Sequence, residues 1–288
     1  MTHVLTLIAP DRLDDSMLSA LRQTLGSKLL SERWLAPGRV LDIGFRDLPD
    51  METVARPLCP AIDLVAQPEP GRRKKLLVAD MDSTIVTSET LDELAAYAGL
   101  KEQIAAITMR SMRGELDFQT ALRERVSMLK GLAETAMAET YKQVELMPGA
   151  ATLIATMRGN GCFCVLASGG FDYFTSRVRE LCGFDRDHAN HLVIEDGKLT
   201  GKVREPILDR DSKLGYLRRY ARELGLQMSE TMAVGDGAND LAMIQAAGLG
   251  VAYHAKPIVA AEARFRVDHN DLTALLFAQG YPQESFLS

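Results

Sequence analysis

The sequence predicts an α/β fold: a doubly wound parallel sheet with an inserted helical cap, preceded by a small α+β unit. Three observations carry this reading. Leu76 to Ala79 is a short apolar run that leads directly into two carboxylates, Asp80 and Asp82. Residues 88–146 read as helix after helix before the next apolar run, Cys162 to Ala167. A third such run ends in Gly235-Asp236-Gly237. Short, wholly apolar runs are how strands read when a parallel sheet is covered on both faces.

In chain order, His3 to Ala9 alternates as a strand, and Asp14 to Leu25 carries a helical stripe at Met17, Leu18, Leu21 and Leu25. Arg39 to Phe45 reads as a second strand, Asp50 to Leu58 as a short helix and Ile62 to Ala66 as a third strand. Residues 1–71 therefore form a small β-α-β-α-β unit, expected to serve packing or dimerisation, with a homodimer through this unit as the partner expectation. Pro68, Pro70 and Gly71 mark a linker, and Arg72 to Lys75 is expected to be a solvated entry to the next strand.

Alternation along that strand puts Asp80 and Asp82 on the same side of its carboxyl end, where open α/β sheets bind ligands. Two anions so placed repel unless a cation or a shared proton offsets them. The residues that follow are too many for a simple crossover and form a cap able to exclude water. Glu89 stands at its entrance, and Arg125 lies on a helix that otherwise presents apolar residues.

The core resumes at Pro148-Gly149. Cys162 to Ala167 ends in Ser168-Gly169-Gly170, and a hydroxyl with unhindered N–H groups at a strand end suits an anion. Leu192 to Leu199 is a hairpin turning at Asp196-Gly197. Lys213 opens a helix through Leu224, where a cation opposes the macrodipole unless an anion faces it. In TMAVGDGAND, Thr231 to Asp240, tight glycines around Asp236 allow close backbone approach, and the hard oxygens suit Mg²⁺. Gly248 to Ile258 reads as a last central strand and its continuation.

With 47% hydrophobic and 25% charged residues and a net charge of −6, the composition is that of a globular protein and argues against nucleic acid. No apolar run spans a bilayer and no secretory leader is apparent, so no membrane partner is expected. Cys59, Cys162, Cys164 and Cys182 complete no metal motif and read as small buried hydrophobes, which points to a reducing, cytoplasmic compartment.

DMDST resembles the nucleophile motif of the haloacid dehalogenase (HAD) superfamily, and DMDSTIVTSETLDELA looks like the phosphoserine phosphatase family within it. Ser168-Gly169, Lys213 and GDGAND are similar to that superfamily's later motifs, and the resemblance covers Leu76 to Ala278. It implies a HAD-like core at 72–87 and 147–288, a cap at 88–146 and an ACT-like domain at 1–71. It implies Mg²⁺-dependent hydrolysis of O-phospho-L-serine, the last step of serine biosynthesis.

The roles it implies are as follows. Asp80 is the nucleophile and Asp82 the acid/base. Asp80, Asp236 and the backbone carbonyl of Asp82 hold the metal. Ser168, Gly169 and Lys213 hold the phosphoryl oxygens, Asn239 binds substrate or water, and Asp240 orients Lys213. Glu89 and Arg125 clamp the substrate's ammonium and carboxylate, and Met112, Gly114 and Phe118 form the pocket wall. A phosphatase or phosphotransferase for another small metabolite, or an amino-acid-sensing regulatory protein, remains the alternative.

Overall fold

The computed structural model describes residues 2–46, 55–112 and 115–288, without the side chains of residues 111, 112 and 210. The amino-terminal unit comprises β1 (Thr2–Ile8), α1 (Asp15–Leu25), β2 (Leu29–Ala36), β3 (Val40–Arg46) and β4 (Asp63–Pro68). The four strands form an antiparallel sheet in the order β2-β3-β1-β4. Asp14 caps α1 by accepting from the N–H of Met17, satisfying one of the helix's free donors. On one sheet face Leu5, Leu7, Leu41, Ile43 and Phe45 bury against Leu18, Leu21 and Leu25 of α1.

Strand β2 was not expected from the sequence. Its residues Leu30 to Trp34 are exposed on a sheet edge, so no apolar alternation marks it. The expected helix at Asp50 to Leu58 falls mostly outside the described residues; Arg56–Leu58 is a single 3₁₀ turn.

β5 (Leu76–Ala79) opens the main sheet. Four helices follow among the described residues: α2 (Thr90–Tyr97), α3 (Lys101–Met112), α4 (Phe118–Met128) and α5 (Thr135–Tyr141). Then come α6 (Ala150–Gly159), β6 (Phe163–Phe171), α7 (Asp172–Cys182) and β7 (Arg186–Asn190). A hairpin of β8 (Leu192–Glu195) and β9 (Lys198–Val203) braces the inserted helices through Gly131 N to Leu199 O at 2.8 Å. The chain ends with α8 (Arg210–Glu223), β10 (Thr231–Gly235), α9 (Leu241–Ala246), β11 (Leu249–Tyr253), α10 (Pro257–Glu262), β12 (Phe265–Val267) and α11 (Ala274–Ala278).

The main sheet is wholly parallel, in the order β12-β11-β10-β5-β6-β7. From β5 the chain winds outward through β6 and β7, then crosses back to β10 on the other side. The strand order therefore reverses between β5 and β10, and the crevice at their carboxyl ends is where such sheets bind ligands. Leu76 and Val78 face Leu217 and Tyr220 of α8, while Leu77 and Ala79 face the opposite helical layer. Burial on both faces is why the run reads as unbroken hydrophobicity; each such aliphatic side chain contributes roughly 1.5–3 kcal/mol. The expected last strand, β11, is followed by one more, the three-residue β12.

The second face of the amino-terminal sheet packs on the main body: Ile8, Val40 and Val65 belong to the same apolar core as Leu275 and Phe277. Polar bonds lock the seam. Gln67 Nε2 donates to Ala278 O at 2.6 Å, Asn270 Nδ2 donates to Ile8 O at 2.9 Å, and Asp63 accepts from the N–H of Asp268 at 2.7 Å. The basic run is only in part the solvated entry expected: Arg73 and Lys75 are exposed, whereas Arg72 and Lys74 are not. Arg72 is buried against Asp42 at 2.6 Å, and the buried Lys74 Nζ donates to Gly71 O and Ser229 O. These partners are distant in sequence, which is why the run looked like surface charge. No helix among the described residues is long and apolar enough to cross a membrane.

Candidate active site

β5 ends at Ala79, and the chain carries Asp80 to the sheet's carboxyl edge, where its N–H donates to Val234 O of β10 at 3.0 Å. The neighbouring tip supplies Asp236 and, at the start of α9, Asp240. Asp80, Asp236 and Asp240 are buried, and each offers a carboxylate oxygen within 4.8 Å of the others.

Lys213 answers two of these charges: its Nζ lies 2.6 Å from Asp80 Oδ1 and 2.6 Å from Asp240 Oδ1. It sits one turn inside α8 instead of at its start, because the side chain of Asp209 and that of Ser212 form a capping box that begins the helix earlier. Burial pushes Lys213 toward losing its proton, but Asp240 and Asp80 outweigh it and raise its pKa. One ammonium among three carboxylates is not enough. Burial, with Asp240 and Asp82 adding to it, holds Asp80 well above the usual carboxylate range despite Lys213. Burial likewise raises Asp236, although Lys256 stands 3.5 Å from its Oδ2. Asp240 Oδ2 accepts from Gly237 N at 3.0 Å, so its two oxygens are both engaged. Gly235 is required here, since a Cβ would lie 2.4 Å from Asp240 Cγ.

Hard carboxylate oxygens, buried and short of positive charge, fit a divalent oxygen-seeking cation. The Asp82 carboxylate is turned away from that cluster. Its Oδ1 accepts from the N–H of Thr90 at 2.8 Å and its Oδ2 from Ser168 Oγ at 2.9 Å. Gly170 N in turn donates to Ser168 Oγ at 2.8 Å. Ser168-Gly169-Gly170 lies inside β6, which runs on to Phe171, and α7 begins only at Asp172. The segment is thus a distorted strand end with a register shift beyond Ala167, in keeping with the strand-end position expected.

A cavity of about 880 Å³ opens above these tips, lined by Asp80, Asp82, Gly169, Asp236 and Asn239 from the sheet side. Glu89, Phe118, Leu122 and Arg125 line it from the helical insertion. Phe118 lies over Gly169, where an added Cβ would sit 3.2 Å from its ring. Glu89 accepts from Ser83 Oγ at 2.9 Å, and Ser83 itself takes a positive φ of 56°. Partial burial, reinforced by Asp82, raises the pKa of Glu89. Partial burial lowers that of Arg125, against the pull of Asp92 and Glu89. Arg125 donates to Ala121 O of its own helix at 3.3 Å. Arg123, by contrast, pairs with Glu205 on the surface.

Of the expected residues, Asp80, Asp82, Glu89, Phe118, Arg125, Gly169, Asp236 and Asn239 line one cavity, while Ser168, Lys213 and Asp240 stand behind its lining, bonded to Asp82, to Asp80 and to Lys213 respectively; the side chain of Met112 and residue Gly114 lie outside the described part. Two features escaped the sequence. Lys256 reaches Asp236 both through Nζ and through its N–H to Asp236 O at 3.0 Å. The Thr90 N–H that holds Asp82 carries no side-chain signature. The proline after Lys256, at the first position of α10, was the available signal for a helix beginning at the site.

A parallel sheet with acidic strand tips, a clamped lysine and a helical insertion beside them defines a doubly wound α/β protein with a buried acidic site suited to a divalent cation. The model of the haloacid dehalogenase-like hydrolase family matches residues 77–245, and the chain belongs to that family. It is similar to the phosphoserine phosphatase of Streptomyces coelicolor, 42% identical over 81% of this chain and 57% of that protein. It is 45% identical to the phosphoserine phosphatase of Streptococcus thermophilus over 69% of this chain and 93% of that one. Among solved structures, a HAD family hydrolase from Salmonella enterica serovar Typhi superposes with a TM-score of 0.88 at 30% identity, covering 97% of this chain and 98% of that one. The chain thus spans little more than half the length of the Streptomyces relative and nearly all of the Streptococcus one.

Proposed function

We propose that this protein is a phosphoserine phosphatase that hydrolyses O-phospho-L-serine to L-serine and phosphate. The observation that carries the reading is the pairing of Glu89 and Arg125 on the insertion side of the cavity whose floor holds Asp80 and Asp82. A guanidinium fork suits a carboxylate, and a carboxylate suits an ammonium, so the two match the zwitterionic end of an amino acid. The names of relatives 42–45% identical support the same substrate.

In this reading residues 72–87 and 147–288 are the catalytic core, 88–146 the cap and 1–71 a separate ACT-like domain. Asp80 attacks phosphorus in line, and the ester P–O bond breaks as the Asp80–phosphorus bond forms. Asp82 gives its proton to the departing seryl oxygen. It then takes one from the water that cleaves the aspartyl-phosphate, so both residues are restored. Lys213, backed by Asp240, and the Ser168 hydroxyl with the Gly169 backbone hold the phosphoryl oxygens as charge moves. Asn239 binds substrate or the attacking water, and Phe118 and Met112 wall the pocket. Asp80, Asp236 and the backbone carbonyl of Asp82 would hold Mg²⁺, which would supply positive charge against the phosphate's oxygens. The four free, buried cysteines support a reducing, cytoplasmic setting.

The test is phosphate release from O-phospho-L-serine with and without EDTA, for wild type and Asp80→Asn. Activity lost in both the chelated and the substituted enzyme is the expected result. Arg125→Ala should raise KM for phosphoserine by about 10²-fold, the value of a charge-assisted fork, and leave a simple aryl phosphate nearly unaffected. Equal effects on the two substrates would reject the amino-acid assignment.

A further inference from the structure

We propose that the seam between the amino-terminal sheet and the main sheet carries a second ligand site, for a small oxyanion, built from Arg33, Arg72 and Arg73. The three arginines line a cavity of about 360 Å³ together with Glu69 and Gln279, remote in the fold from the strand-tip carboxylates. Arg72 is 8% exposed, and an arginine does not escape burial by losing its proton. Its Nη2 donates to Asp42 Oδ2 at 2.6 Å, but its Nη1 is buried with no hydrogen-bond partner among the described residues.

Asp42 cannot serve all of this charge. The same Oδ2 accepts from Arg33 at 3.3 Å, and Oδ1 is occupied by Thr6 Oγ1 at 2.7 Å. Arg73 makes no salt bridge among the described residues, and its guanidinium lies 4.2 Å from the centroid of the Tyr281 ring. Three guanidinium groups therefore face two carboxylates, Asp42 and Glu69, which leaves one positive charge uncompensated. Arg33 and Arg73 are exposed, but Arg72 is buried, and a buried guanidinium with an unpaired N–H group is costly unless an anion completes it.

The backbone makes room for this arrangement. Gly280 has φ +77°, and a Cβ there would lie 2.0 Å from Arg72 Nη2, so the guanidinium rests flat on bare main chain. A planar fork with free N–H groups recognises a carboxylate or a phosphate in two-point contact. The cavity has the lower end of the volume used for small ligands. Arg33 belongs to β2, whereas Arg73 and Gln279 belong to the main body, so an occupant ties the two sheets together.

Trp34, the single tryptophan, follows Arg33 on β2 and is 43% exposed, which gives a local reporter. The full-length, Mg²⁺-loaded protein is titrated with sodium phosphate and, separately, with sodium succinate, against sodium chloride at matched ionic strength. Trp34 emission and the thermal midpoint are followed together. A saturable response to either salt, with apparent Kd raised about tenfold in both Arg33→Gln and Arg73→Gln, is expected. Response to phosphate alone or to succinate alone supports the site and names the occupant; response to both supports a site for the shared oxyanion group. The two substituted side chains are not needed for the Arg72–Asp42 bond, so the variants fold. Flat isotherms with both salts in both readouts, or responses that neither substitution weakens, overturn the proposal.

Discussion

Ser168 Oγ donates to Asp82 Oδ2 across 2.9 Å, and the two residues stand 86 apart in the chain. The hydroxyl is held from the other side by Gly170 N, so the carboxyl expected to move protons has its orientation set by the adjoining strand. Ser168→Ala removes one of the two hydrogen bonds to the Asp82 carboxylate and leaves Thr90 N as the other. The expected outcome is a kcat lower by roughly 10–10²-fold, the scale of one oriented proton-transfer or oxyanion contact, with a smaller change in KM. Steady-state kinetics on O-phosphoserine decide it, and an unchanged kcat would show the contact to be idle.

Asp240 lies behind Lys213, outside the cavity lining, and its two carboxylate oxygens accept from that lysine and from Gly237 N. Asp240→Asn keeps the shape but weakens the hold on Lys213, leaving its ammonium to Asp80. We expect kcat to fall about 10–10²-fold, as when an outer carboxylate is removed from a tuned site. KM should move little, because Asp240 does not line the cavity. A loss confined to KM would contradict this positioning role.

The acidic tips could be read from the sequence because local physics marks them: four apolar residues buried on both faces, then two carboxylates in alternation. Lys213 could be placed only through the motif resemblance, since its partners Asp80 and Asp240 lie 133 and 27 residues away. The same non-locality misled the reading of Arg72 and Lys74, whose burial is decided by Asp42 and by Ser229 O. β2 was missed for the opposite reason. Its segment LLSERWLA lies on an edge where Glu32 and Arg33 face water, so strand periodicity is overwritten by surface charge. β12 is three residues long, too short for any period to register.

The crowding of Asp80, Asp236 and Asp240 makes a stability prediction. Asp236 carries a raised pKa through burial, so relieving its charge should help the metal-free protein. Asp236→Asn is expected to unfold at a higher temperature than wild type in EDTA. Mg²⁺ should reverse the order, because a cation at 100 times its Kd stabilises wild type by about 2.7 kcal/mol and the variant far less. Calorimetric scans in EDTA and in Mg²⁺ give the four midpoints; the same ranking in both buffers would refute the shared cation site.

Gly250 of β11 sits where a Cβ would lie 1.8 Å from Ile244 O and 2.6 Å from Ile244 C. Both are main-chain atoms of α9, which cannot rotate aside. Gly250→Ala must therefore push α9 away from the sheet, and α9 begins at Asp240. A cost of about 3 kcal/mol or more is expected, at the upper end for overpacking. Urea unfolding measures it, and a loss under about 1 kcal/mol would mean the helix yields easily.

His188 on β7 makes stability depend on acid. Its ring stacks on Tyr216 at 3.9 Å with an interplanar angle of 6°, and Nε2 lies 2.8 Å from Tyr220 Oη and 3.3 Å from Arg219 Nη2. Arginine only donates, so Nε2 accepts and the ring is neutral with its proton on Nδ1. Burial first, then Arg219, pushes its pKa down from 6.5 to about 4. In the unfolded chain the imidazole keeps its ordinary value, so between these two limits the unfolded state binds a proton that the folded state refuses. The stability from neutral His188 is thus fully present above about pH 6.5 and is lost as pH falls toward 4. Its size is at most about 3 kcal/mol, reduced by the water that still reaches the half-buried ring. His188→Phe keeps the stack on Tyr216 and removes the titration. Carboxylates also titrate in this range, so the informative quantity is the wild-type minus variant difference in urea midpoints at about pH 7 and about pH 4.5. That difference should shift toward the variant in acid, and a constant offset at both values would show that His188 does not titrate as its surroundings require.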